Sequence, residues 1–212
     1  MGPACPVEAA PDPERELRGR GVRLLAGVDE AGRGPMAGPV VAAAVVFLPG
    51  VLIAGVRDSK CLAPGVRHTL CRRILQEAAA VGVGVVDHRV IDRINILQAT
   101  FRAMRLAVEA LGLRPDHLLV DGDRFPPMGI PHTAVVRGDG RCFSVAAASI
   151  VAKVTRDGIM AGYDRLFPGY GFIRNRGYAT AEHRTALRML GRSPIHRRSF
   201  ILHAGEPEGE AA

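Results

Sequence analysis

Residues 28–34 read Val28-Asp29-Glu30-Ala31-Gly32-Arg33-Gly34 and stand between two apolar runs of the chain. Asp29 and Glu30 place two carboxylates at the end of the first run, where burying their charges is costly unless a cation binds beside them. The glycines that follow allow a ligand to approach the backbone closely. The stretch predicts a turn between two paired strands, with a site for a hard metal ion next to an anionic substrate.

The patterns on either side of this turn predict a mixed α/β fold. The flanking apolar runs form a hairpin of two strands, and the chain then alternates between extended and helical patterns. Such an order favours one mixed central sheet with helices packed on it and a small helical segment at the C-terminus, over about residues 165–202. The predicted strands are 22–29, 39–48, 83–90, 117–121 and 133–137, and the predicted helices are 66–80, 91–111, 144–165 and 180–190.

The ends of the chain differ in composition from the part between them. Residues 1–20 are proline-rich with mixed charge, and we expect a flexible leader there. Residues 203–212 are rich in glycine and glutamate, and we expect a disordered tail. Residues 21–202 are therefore predicted to form the folded domain.

Two further acids stand where a metal site beside the paired carboxylates would use them. Asp121 ends a predicted strand and precedes a glycine, and acids at such strand ends lie at the edge where a sheet opens to ligands. Ser149, Lys153 and Asp157 are spaced four residues apart, so they share one face of a helix whose other faces are apolar. Four carboxylates can balance two divalent ions, which stabilise both the attacking and the leaving oxygen of a phosphodiester displacement.

Taken singly, each of these two acids has a simpler explanation. Asp121 followed by Gly122 is typical of a turn, and Asp157 would pair with Lys153 or Arg156 on its own helix. Their joint arrangement favours the metal site over these alternatives.

The composition narrows the class of protein. The 212 residues, 48% hydrophobic, fit one domain with an aliphatic core, and the longest apolar run is shorter than the roughly 20 residues of a membrane span. Four scattered cysteines without a CxxC pair argue against a zinc site or disulfides and favour the cytoplasm. A net charge of +7 and a pI of about 9.9 indicate an anionic partner, first of all nucleic acid.

Lysine is almost absent from this basic chain. Of 28 lysine and arginine residues only Lys60 and Lys153 are lysines. These two positions are predicted to need a compact ammonium group and not a planar guanidinium. We expect Lys→Arg at either position to lower activity more than at an ordinary surface site.

Several ordered motifs resemble those of the type 2 ribonucleases H, bacterial ribonuclease HII in particular. Residues 29–35, with the apolar run after them, resemble the family's N-terminal signature, and Asp58-Ser59-Lys60 resembles its Asp-Ser-Lys motif. The resemblance continues to about residue 200 through Val120-Asp121-Gly122, residues 148–157, Tyr170-Gly171-Phe172, Gly177-Tyr178 with Thr180 and His183, and residues 196–200.

The resemblance implies a ribonuclease H-like fold and a metal-dependent endonuclease. Such an enzyme cuts the RNA strand of RNA–DNA hybrids and incises duplex DNA 5′ to single embedded ribonucleotides, leaving 3′-hydroxyl and 5′-phosphate ends. By the resemblance, two divalent ions, Mg²⁺ or Mn²⁺, are held by four acids: Asp29, Glu30, Asp121 and Asp157.

The resemblance also implies a set of substrate-binding residues. Gly32-Arg33-Gly34 would contact the 2′-hydroxyl and the phosphate at the ribonucleotide–deoxyribonucleotide junction, since backbone amides and carbonyls can recognise a hydroxyl that DNA lacks. Tyr178 would stack on the sugar or base there. Lys60 and Lys153 would neutralise a phosphate or a metal-bound carboxylate, with Ser149 on the same helix face.

The C-terminal half adds a basic surface that we expect to hold the duplex backbone. Its arginines are Arg174, Arg176, Arg184, Arg188, Arg192, Arg197 and Arg198. Arg176 stands where many relatives have lysine, which keeps the charge. We expect His183 and His196 to be structural.

Other interpretations of the motifs stay open. A type 3 ribonuclease H or a junction resolvase shares the fold, although a type 3 enzyme would carry an N-terminal substrate-binding domain that 20 residues cannot hold. A non-catalytic protein that binds RNA–DNA hybrids would not need four acids. We expect a monomer without membrane attachment and without sliding-clamp binding through residues 203–212, which lack paired aromatics.

Overall fold

A five-stranded mixed sheet forms the centre of the computed structural model, which describes residues 12–200. The strands are β1 (Leu25–Ala31), β2 (Val40–Val46), β3 (Ala80–Val86), β4 (His117–Asp121) and β5 (His132–Val135). Their spatial order is β3-β2-β1-β4-β5. β2 pairs antiparallel with both β1 and β3, whereas β4 runs parallel to both β1 and β5. The predicted mixed sheet and its N-terminal hairpin are confirmed.

Helices cover both faces of this sheet. One core lies between the sheet and α3, and a second lies between the opposite face and the helices α2 and α4. The helices are α1 (Pro13–Gly19), α2 (Pro64–Glu77), α3 (His88–Glu109), α4 (Phe143–Leu166), α5 (Phe172–Asn175) and α6 (Ala181–Leu190). Strand β2 is buried at every residue because it is covered on both faces.

Glycine at position 27 brings α4 close to β1. A Cβ atom built on Gly27 would lie 2.1 Å from the backbone carbon of Ser144, a distance that no real side chain tolerates. This close approach sets α4 directly against the strand that carries Asp29. The fold therefore places the polar face of α4 beside the end of β1.

The structure differs from the predicted elements in three places, and a local hydrogen bond explains the first. The expected strand 83–90 ends at Val86, because the carboxylate of Asp87 accepts the N–H of Val90 at 2.9 Å and begins α3. The first strand runs from Leu25 to Ala31, so Glu30 lies within it and not at its end. Helix α3 is kinked at Asn95, whose φ of 65° is non-helical.

Part of the expected flexible leader is a helix. Residues 13–19 form α1, which begins with the Asp12 side chain accepting the N–H groups of Glu14 and Arg15. Residues 1–11 and the expected tail at 203–212 lie outside the described residues. Among the helices of residues 12–200, none is long and apolar enough to cross a membrane.

Candidate functional site

Three carboxylates converge at one edge of the sheet. β1 and β4 are parallel neighbours in register at Val28 and Val120, so the next residues, Asp29 and Asp121, lie side by side. One carboxylate oxygen each from Asp29, Glu30 and Asp121 lies within 4.8 Å of the others. Within residues 12–200 this is the only such group of His, Cys, Asp or Glu side chains. The arrangement offers hard oxygen ligands to a divalent cation.

Burial and mutual repulsion make this cluster costly when it is ionised without a cation. The pKa of Asp29 is raised well above 3.8, first by burial and then by the charges of Glu30 and Asp121. Burial likewise raises the pKa of Glu30, against the opposing effect of Arg33, which pairs with it at 3.3 Å. Burial also raises the pKa of Asp121. A bound divalent cation would offset all three effects, so the donor set and its electrostatics fit a hard metal ion.

Backbone and hydroxyl donors hold the carboxylates in place. Asp121 Oδ1 accepts the N–H of Gly138 at 2.6 Å, and Asp29 Oδ1 accepts the N–H of Glu30 at 2.7 Å. The Ser149 hydroxyl is near enough to Asp29 to oppose the rise in its pKa, and it lies 2.9 Å from the Ser59 hydroxyl. Ser149 is buried beside the carboxylate cluster, and its expected contact with substrate stays a prediction.

Asp139 is a fourth acid beside the cluster, and the motifs of the sequence do not point to it. It lies in the turn between β5 and α4, only 6% exposed, and its charge raises the pKa of Asp121. Lys60 Nζ donates to its carboxylate at 3.0 Å. The sequence marks Asp139 by the glycines on either side of it, Gly138 and Gly140. Glycines likewise follow Asp29 and Glu30.

Asp157 takes part in a different set of contacts from those expected. Its carboxylate pairs with Lys153 at 2.7 Å, Arg67 at 3.4 Å and Arg176 at 3.8 Å. It is absent from the carboxylate group described above. The helical spacing correctly placed Lys153 beside Asp157, but three cations already balance this acid.

The two lysines of the chain both bind carboxylates. Lys60 is exposed and bridges Asp139 and Asp58, at 3.0 and 4.0 Å. Burial alone would lower the pKa of Lys60, but these acids reverse the effect and raise it. Lys153 is half-buried and its pKa is lowered, first by burial. The expectation that these lysines neutralise a phosphate or a metal-bound carboxylate stays a prediction.

The loop after β1 contains Gly32-Arg33-Gly34, of which two residues face outward. Arg33 and Gly34 are exposed, whereas Gly32 is buried. The carbonyls of Gly32 and Arg33 accept hydrogen bonds from Arg197 at 2.6 and 2.9 Å. The expected recognition by both amides and carbonyls is therefore restricted, since these two carbonyls are already bonded.

Tyr178 stands next to this loop with its ring partly free. The side chain is 44% exposed, and a Cβ atom on Gly34 would lie 3.7 Å from its Cε1 atom. The N–H of Met36 donates to the carbonyl of Gly177 at 2.8 Å and joins the two segments. Tyr178 thus offers an exposed aromatic face beside the glycine loop.

A pair of buried histidines supports Tyr178 from behind. Ser193 N–H donates to Nδ1 of His196 at 2.9 Å, so the ring proton of a neutral His196 lies on Nε2. That atom is 3.0 Å from Nε2 of His183, whose Nδ1 lies 2.9 Å from the Tyr178 carbonyl. Both rings are almost fully buried, in agreement with the expected structural role.

The expected basic surface is smaller than the sequence suggested. Arg197 is 1% exposed, Arg174 pairs with Glu182, and Arg176 pairs with Asp157. The remaining members of that surface, all exposed, are Arg184, Arg188, Arg192 and Arg198.

Proteins of one family are similar to this chain in both sequence and fold. The chain matches the family model for ribonuclease HII over residues 26–203. A ribonuclease HII of Geobacter sulfurreducens is 55% identical over 195 residues, covering 92% of this chain and 90% of the relative.

Solved structures give the same answer for the fold. The ribonuclease H2 of Pyrococcus horikoshii is 28% identical with a TM-score of 0.70, covering 83% of this chain and 93% of that one. The ribonuclease HII of Archaeoglobus fulgidus, solved as a complex with PCNA, is 26% identical with a TM-score of 0.73, covering 86% and 97%. These similarities agree with the resemblance that the motifs carried.

Proposed function

This chain belongs to the ribonuclease HII family, a family of metal-dependent type 2 ribonucleases H, and from that premise we propose that it incises duplex DNA 5′ to single embedded ribonucleotides. Endoribonuclease activity on RNA–DNA hybrids follows from the family membership itself. The observation that carries the finer proposal is the juxtaposition of three carboxylates, one buried and two partly buried, with an exposed glycine loop and Tyr178.

Two divalent ions, Mg²⁺ or Mn²⁺, are the proposed cofactors. When bound, they would supply activation of a water molecule and stabilisation of charge on the leaving 3′-oxygen, giving 3′-hydroxyl and 5′-phosphate ends. Asp29, Glu30 and Asp121 would hold them, because their ligand atoms already lie within 4.8 Å of one another.

We propose Asp139 as the fourth acid, in place of Asp157. Asp139 is buried beside Asp121, and within residues 12–200 its one hydrogen-bonded cation is Lys60, whose side chain is largely exposed. Asp157 is held by two half-buried basic side chains and by the buried Arg67. We propose that Asp157 instead orients Lys153 and Arg176 toward the substrate backbone.

We assign recognition of the substrate to the glycine loop at residues 32–34 and to Tyr178. The exposed amides of Arg33 and Gly34 would bind oxygen atoms of the junction nucleotide, and Tyr178 would stack on its sugar or base. The exposed arginines of the C-terminal half would bind the duplex backbone, so binding should weaken steeply with salt.

The cellular setting is a further part of the proposal. Cys61, Cys71 and Cys142 are free thiols within the described residues, which suits the reducing cytoplasm. We propose that the protein acts as a monomer. Its role in the cell would be to remove ribonucleotides from DNA. Absence of clamp binding through residues 203–212 stays a prediction; a pulldown in which a sliding clamp retains the full chain but not a variant lacking those residues would contradict it.

The decisive test is cleavage of a labelled DNA duplex that carries one ribonucleotide, with and without Mg²⁺. We expect incision 5′ to the ribonucleotide, with a loss of more than about 100-fold in Asp29→Asn and Asp121→Asn. Cleavage of long hybrids alone would favour a type 3-like specificity. Binding without any cleavage would favour a non-catalytic hybrid-binding protein.

The assignment of Asp139, and not Asp157, as the fourth metal-binding acid can be tested separately. Mn²⁺ binding, followed calorimetrically, should weaken by about 10- to 100-fold in Asp139→Asn. Asp157→Asn is the matched control, since it removes an equal charge from a nearby acid, and it should bind Mn²⁺ as the wild type does. The opposite ranking would restore Asp157 to the ligand set.

A further inference from the structure

Two arginines are buried beneath the glycine loop without a carboxylate partner. Arg156 is 0% exposed and Arg197 is 1% exposed, and neither forms a salt bridge within residues 12–200. Burial lowers the pKa of Arg197 to about 9 and that of Arg156 to about 10, so both remain cationic at neutral pH. Unpaired buried charges are rare because their desolvation is costly.

Arg197 uses its donors on the carbonyls of one loop. Its guanidinium donates to the carbonyls of Gly32 at 2.6 Å, Arg33 at 2.9 Å, Gly38 at 3.0 Å and Pro39 at 3.1 Å. The ring of Phe200 lies 4.9 Å from the guanidinium carbon and covers the cation. A single side chain therefore ties both ends of the loop together.

Arg156 holds the same loop from α4. It donates to the carbonyls of Pro39 at 2.9 Å, Ala37 at 3.1 Å and Arg176 at 3.0 Å. A Cβ atom on Gly32 would lie 2.1 Å from the Arg156 Nε atom, and Gly32 has a φ of +99°. Glycine at position 32 is thus required for the guanidinium to fit beneath the loop.

The orientation of these carbonyls decides where the amides point. In a trans peptide the C=O of one residue and the N–H of the next point in opposite directions. Because the carbonyls of Gly32 and Arg33 point inward to Arg197, the N–H groups of Arg33 and Gly34 point outward. No described residue accepts a hydrogen bond from either N–H.

We propose that Arg197, assisted by Arg156, is a positioning residue that holds the amides of Arg33 and Gly34 toward an oxygen acceptor on the junction nucleotide. The inference rests on the proposed function of this loop. The acceptor is a phosphate oxygen or the ribose 2′-oxygen, since outward amides can only donate. The buried positive charge beneath the loop adds to the attraction for such an oxygen.

The role requires a guanidinium and not merely a charge, which a pair of variants separates. Arg197→Lys keeps the charge but cannot reach four carbonyls in a planar fork, and Arg197→Met removes both. We expect both variants to lose roughly 10- to 100-fold in kcat/KM on a single-ribonucleotide duplex, as loss of alignment does. Affinity for the same duplex without the ribonucleotide, measured without divalent ions, should stay unchanged.

Arg198→Met is the matched control, because Arg198 is the exposed neighbour in the same segment. It should weaken binding of both duplexes equally and leave the preference for the ribonucleotide intact. Wild-type selectivity in Arg197→Lys would overturn the inference, as would an Arg197→Met variant that weakens both duplexes equally.

A measurement on the unaltered protein guards against variants that fail to fold. By amide NMR, the N–H groups of Arg33 and Gly34 should exchange rapidly in the free protein and become protected when a single-ribonucleotide duplex is added without divalent metal. Protection already present in the free protein, or no protection in the complex, would overturn the inference. Loss of all cleavage by the wild type would contradict the proposed function alone, because the amide measurement does not depend on catalysis.

Discussion

Asp29 is disfavoured in its ionised form by burial and by two neighbouring acids of the proposed metal site. It is 4% exposed and lies beside Glu30 and Asp121, which raise its pKa together with burial. Between pH 3.8 and its raised pKa, the folded protein holds a proton that the unfolded chain has lost. The stability of the metal-free protein therefore decreases as pH rises through that window, and the loss is complete above it.

Removal of the Asp29 charge should relieve this repulsion. Asp29→Asn should raise the stability of the metal-free protein at pH 8 by about 1 kcal/mol while abolishing cleavage, because it removes a repelled charge that a metal needs. Thermal unfolding with EDTA would measure the gain. A lower melting temperature for the variant would contradict it.

The same residue links stability to metal and pH. Mg²⁺ should raise the melting temperature of the wild type more at pH 8 than at pH 5.5, since protons compete for raised-pKa carboxylates. In Asp29→Asn the Mg²⁺ effect should be small at both pH values.

At the scale of elements, α1 provides the N-terminal cap of α4. The N-cap residue of α4, Cys142, has no side-chain capping bond. Glu14 of α1 accepts the N–H of Ser144 at 2.9 Å and the Ser144 hydroxyl at 3.0 Å, and both residues are buried. A carboxylate at this position also interacts favourably with the helix dipole. The N-terminal helix thus stabilises the helix that packs against the carboxylate cluster.

The stabilising effect of this cap can be tested by removing the Glu14 carboxylate. Glu14→Ala should lower the free energy of unfolding by about 1–3 kcal/mol, because two buried donors of Ser144 lose their acceptor. Urea denaturation measures the change. Glu16→Ala, which removes an exposed acid from the same helix, is the control and should cost far less. Equal losses in the two variants would show that α1 does not cap α4.

At the scale of the whole molecule, the C-terminal segment is joined to the sheet through buried polar contacts. His183 and His196 connect α6 to Tyr178, and Arg197 connects the segment to the glycine loop. Tyr170 and Phe172 pack against both histidine rings. The glycine loop and Tyr178, which we propose to contact the substrate, are therefore held by contacts between distant parts of the chain.

Because His196 is buried in this segment, the free energy of unfolding should depend on pH. The pKa of His196 is lowered to about 4 from 6.5, first by burial and then by His183. Its neutral form stabilises the fold fully above pH 6.5, and this contribution is lost as pH falls toward 4. Urea midpoints measured from pH 7 to pH 5 should therefore fall less steeply in His196→Gln than in the wild type.

A histidine on the surface serves as the control for this prediction. His68 is exposed, so His68→Gln should keep the wild-type slope. If His196→Gln and the wild type fall in parallel, the buried pair does not account for the acid sensitivity.

The sequence alone determined the hairpin, the mixed sheet and the paired acids. Asp29 and Glu30 stand after an apolar run of the sequence and before glycines, and these are local features that a short window contains. The apolar helix with Ser149, Lys153 and Asp157 on one face was also predictable, because helical spacing is local.

Only the tertiary structure decided which acids and arginines meet. Asp139 reaches Asp121 because β4 and β5 are parallel neighbours, and Asp157 is balanced by Arg67, which lies far away in sequence. The sequence suggested that Arg197 lies on the surface. In the structure it is buried beneath the glycine loop, which precedes it by 165 residues at Gly32. A charge is tolerated at such a position only when folding brings hydrogen-bond partners to it, and no local sequence pattern records those long-range partners.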